Sequence, residues 1–267
     1  MRLKTTLIDQ INREITLSKT PKRIISLVPS QTELLVDLGL EEFLVGVTKF
    51  CVHPVHIKKT IATVGGTKNI KIDRIKELKP DIILCNKEEN TKEIVEACEK
   101  IAPTHVSDIF TLSDAKELIH QYGELFSCRI EANRIIQKLN FKLNEFQEFV
   151  KDKPTKKVAY FIWRNPWMVA GNNNFINHLL LLNNFENIYS NKNRYPEIEL
   201  KKIRIEGDPD LVLLSSEPYP FKEEHAFEIG RFTHHAKTIF VDGEMFSWYG
   251  SRLLKAFDYF KQLHNRI

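Results

Sequence analysis

The alternation of apolar and polar positions divides the chain into two like halves. Arg23-Ile24-Ile25-Ser26-Leu27-Val28 has the continuous apolar run of a core strand, and Leu78-Lys79-Pro80-Asp81 leads straight into a second, Ile82-Ile83-Leu84. Much later Gly207-Asp208-Pro209-Asp210 runs in the same manner into Leu211-Val212-Leu213-Leu214, and Lys157-Val158-Ala159-Tyr160-Phe161-Ile162-Trp163 plays the part of residues 23–28. Strands apolar on both faces belong to parallel sheets covered by helices, and the carboxyl ends of such strands hold ligands. The repeat predicts an α/β fold: two αβ lobes with mainly parallel sheets, and a ligand cleft where equivalent strand ends face each other.

The segment between the halves has a different character. From Arg129 to Lys151 there is no Gly or Pro, and Ile135, Leu139, Leu143 and Phe146 recur at helical spacing among Glu, Lys, Arg and Gln. That predicts one helix of about 35 Å at ~1.5 Å per residue. Asp152-Lys153-Pro154 ends it, because proline cannot continue a helix and restricts the residue before it. The expected division is residues 1–127 as an amino-terminal αβ lobe, 128–153 as a connecting helix and 154–267 as a carboxy-terminal αβ lobe. A helical connector is stiff, so little lobe movement is expected on ligand binding.

Shorter patterns complete the outline. Thr5 to Leu17 reads as a β-hairpin on the edge of the first lobe, and Leu44–Val47, His105-Val106 and Thr238–Val241 read as strands. Helices are expected near 72–78, 91–100, 175–182, 222–229 and 251–264, the last with Leu253, Leu254, Phe257 and Phe260 as its buried stripe. The helix after Val28 should be capped by Ser30 or Thr32 and closed by Gly39.

Composition narrows the partners. The 267 residues suffice for two domains with separate cores, and 42% hydrophobic and 28% charged residues are the proportions of a soluble globular protein. A net charge of +4, with lysines scattered among acids, gives nucleic-acid binding no support. Met1 to Asp9 lacks the apolar core of a secretory signal, and no segment is suited to span a membrane, so the chain is expected to be cytoplasmic or to have lost a leader. Cys51, Cys85, Cys98 and Cys128 lack the paired spacing of zinc or dithiol sites; Cys85 and Cys98 read as buried thiols.

The loops that follow the strands carry the candidate chemistry. Trp163 and Trp167 lie in Trp163-Arg164-Asn165-Pro166-Trp167-Met168, and Trp248 lies between Glu244 and Tyr249-Gly250-Ser251-Arg252. A single tryptophan is as readily a core anchor as a contact. Three in post-strand loops favour a binding surface, since aromatic faces give large contact area at small entropic cost. The first half offers Phe50, His53 and the Gly65-Gly66-Thr67-Lys68 run, which lacks the upstream glycine of a phosphate loop. His53, Glu88, Glu217, Glu244 and Arg252 could orient a ligand, though each alone reads equally as a surface charge or helix-end residue. No nucleophile elbow, zinc-protease helix or dinucleotide fingerprint occurs, so no enzyme, catalytic residue, cofactor or bare metal site is expected. Only His53 and Glu244 are placed for a metal, and His234-His235 reads as a solvated turn.

Residues 23–33, then Gly46-Val47-Thr48, then Ile72-Asp73-Arg74-Ile75-Lys76-Glu77-Leu78-Lys79-Pro80-Asp81, in a lobe, long helix, lobe order, resemble the substrate-binding proteins of metal-chelate ABC importers, the cobalamin-binding branch above all. The resemblance covers nearly the whole chain from about Pro21. It implies a monomer of the periplasm or cell envelope that captures a corrinoid such as cobalamin, haem or an iron siderophore and passes it to a membrane permease. The family's ligand contacts fall on Phe50, Thr67, the loop Trp163, Arg164, Trp167 and Met168, Tyr195, and the Glu244 to Trp248 loop, beside which lie His53, Lys68, Tyr249 and Arg252. Thr67 stands where the family has an aromatic and Trp248 where it has an arginine, which allows a different corrinoid or chelate. The resemblance also implies one acidic docking residue on each lobe. Asp73 fills the first place; Lys201 or Lys202 occupies the second, with Glu199 just upstream. The rival reading is a cytoplasmic cofactor-salvage protein on the same scaffold.

Overall fold

A computed structural model describes residues 5–267. Residues 1–4, on which the leader expectation partly rests, lie outside the described residues. Strands β1 (Thr5–Ile8) and β2 (Glu14–Leu17) form the expected antiparallel hairpin. The buried Asp9 carboxylate in its turn accepts the N–H groups of Ile11 (3.1 Å), Arg13 (2.9 Å) and Val106 (3.1 Å) and pairs with the Arg13 guanidinium at 2.7 Å. One ionised side chain thus shapes the turn and ties it to the strand that carries Val106.

The first sheet is built from β3 (Ile24–Ser26), α1 (Pro29–Asp37), β4 (Leu44–Val47), α2 (Ile57–Thr60), β5 (Ala62–Thr63), α3 (Ile72–Glu77), β6 (Ile82–Asn86), α4 (Lys92–Glu99) and β7 (Thr104–Ser107). All its strands are parallel, in the order β5-β4-β3-β6-β7. Helices α5 (Leu112–Leu125) and α6 (Arg129–Val150) follow. The second sheet comes from β8 (Lys156–Trp163), β9 (Met168–Val169), α7 (Phe175–Leu182), β10 (Phe185–Asn187), α8 (Ile203–Glu206), β11 (Leu211–Ser215), α9 (Glu223–Gly230) and β12 (Lys237–Val241), before α10 (Gly243–Ser247) and α11 (Leu253–His264). Its order is β10-β8-β11-β12, parallel, with β9 antiparallel on β8.

The repeat seen in the sequence is a repeat in space, since β4-β3-β6-β7 and β10-β8-β11-β12 have one topology. The Pro-Asp steps explain why. The Asp81 carboxylate accepts the Lys22 N–H at 2.9 Å while its own N–H donates to the Arg23 carbonyl at 2.8 Å. Asp210 repeats this on Lys157, accepting its N–H at 2.7 Å and donating to its carbonyl at 2.8 Å. The residues before the two prolines, Lys79 and Asp208, share a φ of +45°. Each half thereby clamps the start of its central strand pair, β3 to β6 and β8 to β11.

Several expectations change in detail. Helix α1 starts at Pro29 behind Val28, with no side-chain cap. Thr32 instead donates back to the Val28 carbonyl (3.0 Å) and to the Ser26 hydroxyl (2.9 Å), and Gly39 closes the helix at φ +79° as expected. In α11 Leu254 is half-buried and Ala256 completes the stripe. Helix α5, unread in the sequence, buries Ala115, Leu118, Ile119, Tyr122 and Leu125. Its Gly123 lets α6 approach, because a Cβ there would sit 2.9 Å from the Ala132 methyl. Helix α6 has 22 residues, within one residue of the expected span.

The chain separates into two compact units. The first holds the chain through Ile109, Ser113–Leu139 and Tyr249–Arg252; the second holds Phe110–Leu112, Asn140–Trp248 and Leu253–Ile267. The boundary therefore falls inside α6, and four residues expected in the carboxy-terminal lobe group with the first unit. All four cysteines are buried thiols, and no helix among the described residues is long and apolar enough to cross a membrane.

The strand clamps predict an acid-sensitive stability. Both carboxyls lie below their ordinary range. For Asp81 partial burial works against ionisation but is outweighed by the Lys22 N–H and by Lys19; for Asp210 the Lys157 N–H dominates. With the folded value depressed, the contribution is present above about pH 4 and is lost as pH falls through the folded value. Asp81→Asn and Asp210→Asn should each cost about 1 kcal/mol at pH 7, partial exposure considered, with the gap to the parent closing in urea titrations as pH falls through the depressed folded values.

Candidate functional site

In the first unit the carboxyl ends of the strands are joined by buried polar side chains. Gln31, one turn past β3, donates to the Ser107 hydroxyl at the end of β7 (2.6 Å) and to the Tyr249 hydroxyl (3.2 Å), and accepts from the Tyr122 hydroxyl at 2.7 Å. Asn86, at the end of β6, donates to Ser107 Oγ (3.0 Å), and its N–H donates to Asn90 Oδ1 (2.9 Å). Asn90 in turn donates to the Thr67 carbonyl at 2.9 Å. The loops after β3, β5, β6 and β7 are therefore set against one another by hydrogen bonds shielded from water, where such bonds are strongest and most costly to leave incomplete.

On this frame stands an exposed aromatic. Phe50, three residues past β4, is 49% exposed, with the Lys49 ammonium 4.9 Å from its ring centre. Gly66 packs beside the ring, where a Cβ would come within 3.2 Å. His53 is half-buried, Thr67 is buried, and the exposed Lys68 donates to the Glu88 carbonyl. Glu89, which sequence reasoning passed over, has its carboxyl pushed up by burial against the opposing pull of Lys68.

Tyr249 and Arg252, expected at the ligand, are committed elsewhere in the first unit. Tyr249 is buried on Gln31, and burial raises its hydroxyl pKa. Arg252, 4% exposed, makes a two-pronged ion pair with Glu33, at 2.7 and 2.9 Å, and Glu33 is 5% exposed. This pair, with the Tyr249 hydrogen bond, is why Tyr249–Arg252 group with the first unit.

In the second unit the aromatics form a cluster at the carboxyl ends of β8 and β11. The Trp167 ring stacks on Phe221 at 6.1 Å and 4°, meets Phe161 edge-on at 5.7 Å, and carries the Arg164 guanidinium at 5.4 Å. Arg164 is fixed by two hydrogen bonds to Glu228, at 2.8 and 3.1 Å. Trp163 lies further out, 39% exposed, edge-on to Tyr219 at 5.5 Å; the Tyr219 hydroxyl reaches His225 Nε2 at 3.1 Å. Tyr219 and Phe221 belong to the run Glu217-Pro218-Tyr219-Pro220-Phe221, a signal present in the sequence and unused.

Trp248 has a packing role. It is 7% exposed, and its indole N–H donates to Glu217 Oε1 at 2.9 Å, the same oxygen that accepts the Ser247 hydroxyl at 2.8 Å. Met168 and Tyr195 are half-buried on adjoining segments: Met168 bridges Glu197, and Val169 N–H donates to the Pro196 carbonyl. Glu244, half-buried, lies in the first turn of α10, with its N–H on Asp242 Oδ1 at 3.0 Å. The outcome is a division by accessibility. Phe50 and Trp163 present exposed faces, Trp167 is half-covered, and Trp248, Tyr249 and Arg252 are internal.

Comparison with known proteins bears on the family and the fold. The periplasmic binding protein family matches residues 24–238. An uncharacterized ABC transporter substrate-binding lipoprotein of Bacillus subtilis is 25% identical over 263 residues, covering 94% of this chain and 82% of its own. A vitamin B12-binding protein of Pectobacterium atrosepticum is 26% identical over 243 residues, covering 88% and 86%. The fold of the apo periplasmic heme-binding protein from Roseiflexus sp. RS-1 superposes with a TM-score of 0.79 at 16% identity, over 90% of this chain and 97% of that one.

The Glu33–Arg252 pair yields a stability prediction. Removing one member strands a buried charge, so Arg252→Ala or Glu33→Ala should cost about 3–5 kcal/mol, whereas replacing both by apolar residues of like volume should restore most of the loss. Urea unfolding of the singles and the double checks it; an additive double mutant would contradict the pairing.

Proposed function

This chain belongs to the periplasmic binding protein family, and from that premise we propose that it captures a corrinoid, or a related metal chelate, for import by an ABC transporter. Members of the family are binding proteins and not enzymes. The observation that carries the ligand reading is the exposed aromatic face at a strand's carboxyl end in each sheet, Phe50 in the loop after β4 and Trp163 as the last residue of β8. Large apolar rings left in water at such ends suit a broad, largely apolar ligand with a polar rim. Lys68, Glu89 and Glu244, in the same groups of loops, supply charge for that rim. Vitamin B12 in the name of a curated relative favours a corrinoid, and a haem or an iron siderophore is the second reading, supported by the heme-binding structural neighbour. The lipoprotein relative supports a place in the cell envelope, which cell fractionation tests against the cytoplasmic salvage reading.

Titration with cobalamin, cobinamide, haem and a ferric siderophore, followed by tryptophan fluorescence, tests the ligand. One of the first two should bind stoichiometrically and be recovered unchanged; saturation only by haem or siderophore moves the assignment, and silence from all four removes it. Trp163→Ala and Phe50→Ala should each weaken binding about thirtyfold, roughly 2 kcal/mol, at unchanged melting temperature. Trp248→Ala should instead lower the melting temperature, because it empties a buried site and takes the indole donor from Glu217.

Docking to the permease is proposed to use Asp73 and Glu199. Asp73 sits in the first turn of α3, almost fully exposed; Lys201 or Lys202 holds the matching place ahead of α8, with Glu199 just upstream as the acidic substitute. Lys201 and Lys202 both contact Glu199, so the second position carries a compensated charge. Asp73→Lys should reduce permease binding at least tenfold and leave chelate affinity unaltered, while Glu199→Lys should have the smaller effect; pull-down against the reconstituted permease reads both.

A further inference from the structure

We propose that Asp208, His234 and His235 form a site for a divalent transition-metal cation, zinc in the first instance, at the amino end of the second unit's sheet. The residues converge because of strand register. Asp208 leads into β11, His234-His235 lie in the turn that leads into β12, and the two strands pair from Leu211 opposite Lys237. One ligand atom from each of the three residues lies within 4.8 Å of the others. His235 Nδ1 stands 3.8 Å from Asp208 Oδ2, too far for a hydrogen bond but near the separation of about 3.3 Å between two ligands on one tetrahedral ion with bonds of ~2.0–2.1 Å.

Two further observations point to a cation. The other Asp208 oxygen, Oδ1, is buried without a hydrogen-bond partner, an arrangement whose cost a bound cation would offset. Asp210 Oδ1 meanwhile stands 3.3 Å from His235 Nε2, while its Oδ2 is held on the Lys157 N–H. With Nε2 donating to that carboxylate, the lone pair is on Nδ1, the nitrogen that faces Asp208. This is the carboxylate–histidine–metal arrangement in which a second carboxylate sets tautomer and ring orientation. Two imidazoles and one carboxylate suit Zn2+ or Ni2+ over Mg2+, and leave a coordination position for water or an outside group. His234-His235 form the exposed turn expected from the sequence, and the proposal adds a cation to it. The site is at the opposite ends of β11 and β12 from the loops that carry Glu217 and Glu244, so it is separate from the proposed chelate contacts.

The test uses the full untagged chain, stripped with EDTA and titrated with ZnCl2, NiCl2 and MgCl2 by calorimetry beside thermal melts. One equivalent of Zn2+ or Ni2+ should bind and raise the melting temperature. His234→Ala, His235→Ala and Asp208→Asn should each weaken binding at least tenfold; His234, exposed and outside the Asp210 clamp, can be replaced without altering the metal-free melting temperature. The absence of saturable binding, equal binding by the double histidine variant, or equal binding of Mg2+ would overturn the proposal.

Discussion

The clamp between an aspartate and the start of the neighbouring strand fixes everything downstream of it. A parallel pair has no hairpin to set its register, and a slip of one residue would turn every side chain to the other face. Asp81 and Asp210 remove that freedom by binding both polar backbone groups at the head of the adjacent strand, through Lys22 and Arg23 in one unit and Lys157 in the other. With the heads aligned, the tails are aligned too. The loops after β3 and β6, and after β8 and β11, then leave adjacent strands at the point where chain order reverses, which is where open parallel sheets bind ligands.

Alignment alone does not hold a loop still. In the first unit Gln31, Asn86, Asn90 and Ser107 link the ends of β3, β5, β6 and β7, and every link is buried. The Glu33–Arg252 pair belongs to the same logic. Desolvating two charges recovers little net stability even when the pair is well formed, but a chain that must satisfy both has few alternative ways to place Tyr249–Arg252. The buried polar groups therefore act on specificity of structure, while the apolar contacts around Ile25, Ile83 and Val106 supply the stability.

Sequence disclosed the repeat, the long helix and the strands because these rest on periodicity and on Pro-Asp punctuation, both local. It missed α5, although Leu118, Ile119 and Tyr122 carry a helical stripe, and it missed the cap of α1, where a threonine bonds backward to Val28 when a forward bond was expected. The role of Arg252 was beyond it. Glu33 is 219 residues away, and no local pattern announces such a pairing. His234-His235 lie in the exposed turn that the sequence suggested, but only strand register, which no local pattern announces, brings Asp208 and Asp210 beside them.

The tryptophans show what separates packing from recognition. Trp163 ends β8, Trp167 lies in the turn before β9 and Trp248 follows α10, and by composition they are equivalent. Trp248 turns inward because Glu217 offers its indole N–H an acceptor; Trp167 is covered because Phe221 supplies a parallel face and Glu228 holds Arg164 over it. Trp163 meets Tyr219 only edge-on and keeps a face in water. A ligand can gain apolar burial only from surface the fold has not already covered, so exposure at the strand ends, more than residue type, marks where affinity resides. The cation site proposed at Asp208, His234 and His235 obeys the complementary rule. It lies at strand heads that the clamps have already ordered, so binding there requires no loop to be organised anew, and a change in one end of the sheet leaves the chemistry of the other intact.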